Sequence, residues 1–111
     1  MPSGYQSLVS YQLSRVAFDL GWEFVPLYFV GIEFHRQRDQ ILQALRSHKQ
    51  NIVEGSSERS LSSKLKLYDV AKSSGQEALE DFEDILRFEG LSRWDKNDPR
   101  SLTIRRIVYK D

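Results

Sequence analysis

The chain has 111 residues, of which 40% are hydrophobic, 12% aromatic and 29% charged, with no cysteine. This is the size of one domain able to bury a core, and it is too apolar for a disordered chain. Without cysteine there can be no disulfide, thiolate metal site, cysteine nucleophile or iron–sulfur cluster. The 16 basic and 16 acidic groups cancel, which argues against a general polyanion binder, but the charge is banded along the chain. Residues 1–35 carry one basic and three acidic groups (net −2), and residues 36–72 carry eight and four (net +4). Residues 73–98 carry three and eight (net −5), and residues 99–111 carry four and one (net +3). The most apolar run, Phe24 to Ile32, is interrupted by Pro26 and Gly31 and is about half the ~20 residues a spanning helix needs. No membrane segment and no secretory pattern is read, so the expected location is cytoplasmic.

Taken in chain order, the pattern is helical throughout, with elements at about 7–29, 37–54, 61–89 and 98–110. In the first helix, Leu13, Val16, Ala17, Leu20, Phe24, Leu27 and Tyr28 recur at spacings of three and four, the mark of a buried face. A second row, Tyr11, Phe18, Trp22, Val25 and Phe29, makes this helix apolar over more than half its circumference. One face suffices for a small bundle, so the surplus row, with Phe18, Trp22, Val25 and Phe29 at its centre, is expected either to pack under a loop or to contact a second copy. Pro26 should kink or end the helix near its last turns.

The second helix presents Ile41, Leu42, Leu45, Ile52 and Val53, with His48 and Lys49 where the stripe should continue. Both should line the interface with their bodies and reach its edge with their polar tips. Gly55 is placed to stop this helix as a C′ glycine, and Ser60 to cap the next. So short a turn makes helices two and three antiparallel neighbours. In the third helix Leu61, Leu65, Tyr68, Gly75, Leu79, Phe82 and Leu86 form a heptad-like seam, and Gly75 permits close approach of a neighbouring backbone. Gly90 ends this helix, Leu91 and Trp94 anchor a polar link, and Asp98-Pro99 starts the last helix. That last helix would be ~20 Å long against ~45 Å for the third, so either the chain is a fragment whose fourth helix is cut or a partner is expected to cover the open groove. The fold class expected for residues 1–111 is therefore one all-α domain, an antiparallel up-down four-helix bundle with a short or truncated fourth helix.

Chemistry is sparse. His35 and His48 are the only histidines and neither lies three residues after a glutamate, so a di-iron or di-manganese bundle cannot be assembled and no metal or other cofactor is expected. There is no nucleophile elbow and no phosphate-binding glycine loop, so no catalytic residue is assigned and the protein is read as a non-enzyme. Basic residues Arg46, Lys49, Arg59, Lys64 and Lys66 form a candidate phosphate-backbone contact, helped by the N-terminus of the third helix. Asn51 and Glu54 sit near a helix C-terminus, where an acid gains nothing from the dipole. Their expected role is a buried polar clamp tying the turn to another helix; a ligand site at Asn51, Glu54, Arg59 and Ser60 is the alternative.

The run Arg46-Ser47, Lys49-Gln50-Asn51-Ile52-Val53-Glu54-Gly55-Ser56, then Arg59-Ser60, Ala71, Ser74 and Glu77 resembles the bacterial four-helix bundle family that includes proteins encoded in intervening sequences of ribosomal RNA genes. It is similar also to the related accessory variability protein of diversity-generating retroelements. The resemblance extends with decreasing strength over residues 8–90. It implies an antiparallel bundle, frequently a homo-oligomeric ring of five, without known catalysis, and for the retroelement relative a basic surface that contacts RNA or DNA and a reverse transcriptase. Two departures stand out: Lys49 occupies a position where many members have proline, and the fourth helix is short. The function expected from these readings is a self-associating interaction protein or accessory scaffold, with a nucleic-acid-binding accessory role through residues 36–72 as the alternative.

Overall fold

The computed structural model describes residues 4–109, with side chains through Ile107. Its four α-helices are α1 (Val9–Tyr28), α2 (His35–Ser57), α3 (Leu61–Phe88) and α4 (Pro99–Tyr109), with 3-10 turns at Gly4–Ser7 and Ile32–Phe34. Residue 110, the expected end of the last helix, lies outside the described residues.

The helix ends follow from local chemistry. Pro26 lies in the last turn of α1, which closes when Phe29 N donates to Val25 O at 3.0 Å. The reversal that follows uses Gly31 at φ 111, a backbone region open to glycine. Arg38, one turn into α2, donates to the carbonyls of Phe29 and Gly31, so a cation serves the orphan acceptors at the end of α1. The cap of α3 is as expected, with Ser63 N donating to Ser60 Oγ at 3.3 Å. At the other end Gly90 takes φ 69, Leu91 N donates to Leu86 O at 2.8 Å and Gly90 N to Arg87 O at 3.2 Å, the two bonds of a Schellman motif. Asp98 accepts from Arg100 N at 2.9 Å and Pro99 takes the first position of α4.

Gly55 departs from its expected role. It lies inside α2, which runs on to Ser57, and a Cβ there would sit 2.7 Å from the Tyr68 ring. Its missing side chain makes room for α3 rather than a left-handed stop, and Ser56 and Ser57 end the helix by donating back to Val53 O.

Helix α2 is the central element. It packs on α3 along one side and on α1 along another, while α4 packs on α1. Ser47 meets Ser74, His48 meets Ala71, and Gly55 meets Tyr68, so ascending positions on α2 face descending ones on α3 and the pair is antiparallel. The contact of Gly21 with Leu45, and of Phe18 with Lys49, sets α1 antiparallel to α2 in the same way. The core is Val25, Ile41, Ala44, Leu45, Ala78 and Ile85, with Phe18, Tyr28, Phe29, Leu42 and Phe82 packed against it.

The two apolar rows of α1 exchange their expected roles only in part, since Trp22 of the second row stays exposed and Tyr28 of the first packs on the core. Val25 is 0% exposed, and Phe18 and Phe29 lean on the core, whereas Leu20 is 46% and Leu27 78% exposed. Size decides this. Ser14, Gly21 and Val25, the buried positions of α1, are small, and a Cβ on Gly21 would lie 2.3 Å from Leu45 Cδ1. The axes can close only along that line. Likewise α3 buries Ala71, Ser74, Ala78 and Ile85, and its heptad leucines Leu61, Leu65 and Leu79 stay exposed.

Candidate functional site

The small-residue contacts draw α2 close to both neighbours but leave α1 and α3 apart. Among the described residues the backbones of α1 and α3 do not pack together; they meet through the Phe24 and Phe82 rings, 6.2 Å between centroids, and through Tyr28 OH, which donates to Glu89 at 2.6 Å. That bond, above all, holds the Tyr28 phenol above its usual range. Between the two helices lies a groove of ≈ 880 Å³. Leu20 and Phe24 form one wall, Leu79, Phe82 and Leu86 the other, and Leu45 and His48 of α2 the floor. The link between α3 and α4 crosses it through Leu91 and Trp94, and α4 contributes Ser101 and Ile104. Leu91 and Trp94, expected as anchors, are 62% and 44% exposed, and Trp94 carries the Arg100 guanidinium over its ring at 4.2 Å.

At the groove floor, His48 Nδ1 lies 2.7 Å from the carbonyl oxygen of Ala71, and its ring rests where a side chain on Gly75 would stand, 2.7 Å from that missing Cβ. The expected use of Gly75 for close approach is thus met by an imidazole. Lys49 extends over the Phe18 ring at 4.1 Å, a cation–π contact.

The polar clamp is only partly as expected. Asn51 donates to Ser47 O at 2.8 Å and to Ser47 Oγ at 3.1 Å, and Ser47 Oγ and Ser74 Oγ share a hydrogen bond of 2.8 Å. Asn51 therefore reaches α3 through Ser47. Glu54 does not take part: it is exposed, with no hydrogen bond or ion pair among the described residues, and lines an open polar groove with Asn51, Arg46, Glu77, Glu80 and Asp81. Burial, then repulsion from Asp84 and Glu77, holds the Asp81 carboxyl above its usual range.

The five basic candidates are not gathered into one surface. Arg46 lines the acidic groove and Lys49 is committed to Phe18, whereas Arg59, Lys64 and Lys66 lie at the α2–α3 turn, with Ser60 between the first two. From Arg46 to Arg59 is ~20 Å along the axis at helical rise. Of the four residues assigned to self-contact, Val25 is buried inside the protomer, Phe18 and Phe29 are half-buried, and Trp22 is 58% exposed, stacked on Phe18 at 5.7 Å. The sequence allows for an open groove beside a short fourth helix; the walls of this one are the four-three rows on α1 and α3, both expected to be buried. Among the described residues no helix is long and apolar enough to cross a membrane.

Comparisons with protein-family models, with curated proteins and with solved structures return no match.

Proposed function

We propose that this chain is a non-enzymatic interaction protein, an up-down helical bundle with a short fourth helix, that associates with further copies of itself and serves as a scaffold. The supporting observation is the aromatic surface left open on α1, where Trp22 is 58% exposed and stacked on the half-buried Phe18. A patch of this kind on a monomer marks a contact surface, and aromatic anchors carry most of the energy in such contacts. The resemblance of the Asn51 to Ser56 run to a ring-forming bundle family supports the same reading. Sedimentation at micromolar concentration tests it: a homo-oligomer is expected, shifting toward monomer in Trp22→Glu, and a strictly monomeric wild-type protein overturns it.

A second reading, an accessory protein that contacts RNA or DNA beside a reverse transcriptase, rests on Arg59, Lys64 and Lys66. None of the three has an acidic partner among the described residues. Binding of structured RNA that falls steeply with salt and disappears in Lys64→Glu/Lys66→Glu would support it; no retention at low salt removes it.

A further inference from the structure

We propose that the groove between α1 and α3 is a binding site for a compact, uncharged, largely apolar ligand carrying one hydrogen-bond donor, held at its polar end by Nε2 of His48. This goes beyond self-association and uses a different face. Trp22 is two residues from Leu20 and from Phe24, hence ~200° round α1 from each at 3.6 residues per turn.

The chemistry follows from the imidazole. A carbonyl oxygen can only accept, so the hydrogen of the 2.7 Å contact between His48 Nδ1 and Ala71 O belongs to Nδ1. On the neutral ring Nε2 then keeps its lone pair. It has no partner among the described residues and is not a sealed, unsatisfied atom. The bond to Ala71 O fixes the ring's orientation, with its Nδ1 edge toward Gly75. The groove therefore offers the His48 acceptor on a floor otherwise set by Leu45, between walls of Leu20, Phe24, Leu79 and Phe82, with Ser92, Arg93 and Ser101 confined to the end that the link and α4 cover. A guest that supplies a hydroxyl or N–H to Nε2 and hydrocarbon to the walls satisfies the acceptor it covers on the floor, whereas one without a donor leaves Nε2 desolvated and unpaired.

The occupant is a small molecule rather than a helix because the chain already crosses the slot. The Schellman turn at Gly90 sends Leu91 to Trp94 over the end of the groove. Arg93 fastens this crossing to Glu83 at 3.1 Å. A helix running the length of α3 would have to displace it. The volume of ≈ 880 Å³ falls within the range of about 300–1,000 Å³ typical of small-molecule sites.

The experiment uses the whole chain and two matched probes, 4-pentylphenol, which has a donor, and 4-pentylanisole, which has none, followed by NMR titration. The phenol is expected to bind about five- to tenfold more tightly than the ether, the worth of one net hydrogen bond, and to move the His48 Nε2 resonance, which the ether leaves in place. His48→Phe should lose the discrimination. Leu79→Glu, at a half-exposed wall position where the fold is not at risk, should weaken both probes at least tenfold while leaving the sedimentation profile unchanged. Equal affinity for the two probes, an unmoved Nε2 resonance, wild-type binding by Leu79→Glu, or no saturable binding of either probe would each overturn the proposal, and none of these results touches the self-association reading.

Discussion

Gly75→Ala sets two magnitudes of opposite sign against each other. By propensity alone, alanine for glycine in the middle of a 28-residue helix should stabilise the protein by about 0.5–1 kcal/mol. The new Cβ, however, would stand 2.7 Å from His48 Nδ1 and 2.9 Å from Cε1, well inside contact distance. Relief requires the imidazole to move, and Nδ1 is held by Ala71 O at 2.7 Å. Losing that bond costs about 1 kcal/mol and overpacking adds about 1–3 kcal/mol, so a net destabilisation of about 1–3 kcal/mol is expected. Urea denaturation of the wild type and variant, with linear extrapolation, measures it. The same substitution in a His48→Ala background should change sign, since no ring is left to clash, and the difference between the two backgrounds isolates the contact. A Gly75→Ala protein as stable as wild type, or two backgrounds that respond alike, would refute the packing account of this glycine.

Two further outcomes test other parts of the fold. Val25→Ala, at a position 0% exposed, should cost about 2 kcal/mol from lost burial and the cavity left behind, whereas Trp22→Ala on the open side should change monomer stability by less than about 0.5 kcal/mol. Thermal melts at a concentration where the protein is monomeric decide this, and a Trp22 loss as large as that of Val25 would mean that Trp22 is packed inside the protomer rather than on its open side. Asp81 is held above the usual carboxylate range by burial and by Asp84 and Glu77, so its ionised form opposes folding at neutral pH. Asp81→Asn should therefore stabilise the protein near pH 7, with an advantage that fades as the pH falls through the raised value and is gone below the ordinary value of about 3.9. Stability curves of the two proteins that stay parallel across that range would show that the carboxylate is unstrained.

Much of the fold was legible because its signals are local. Ser60 before α3, Gly90 after it and Asp98-Pro99 before α4 act through their own turns, and all three cap as their chemistry requires. Gly55 was misread because a glycine near a helix end has two uses, and only the Tyr68 ring, brought in from α3, selects close packing over a stop. Glu54 differs for the converse reason: a carboxylate at that place in α2 needs a partner to be a clamp, and among the described residues α3 brings it none.

The sequence by itself determined that the chain is helical, where each helix starts and stops to within a few residues, and that more apolar rows exist than one interface needs. Periods of three and four are properties of one helix and are written in its own residues. Which row faces inward is a property of two helices, and the tertiary structure decided it through side-chain volume: Gly21 and Gly75 admit Leu45 and His48, so α2 closes on both neighbours along their small residues. The larger side chains of Leu20, Phe24, Leu79 and Phe82 are thereby left to line the groove, since close packing rewards the shortest approach between axes rather than the most apolar face.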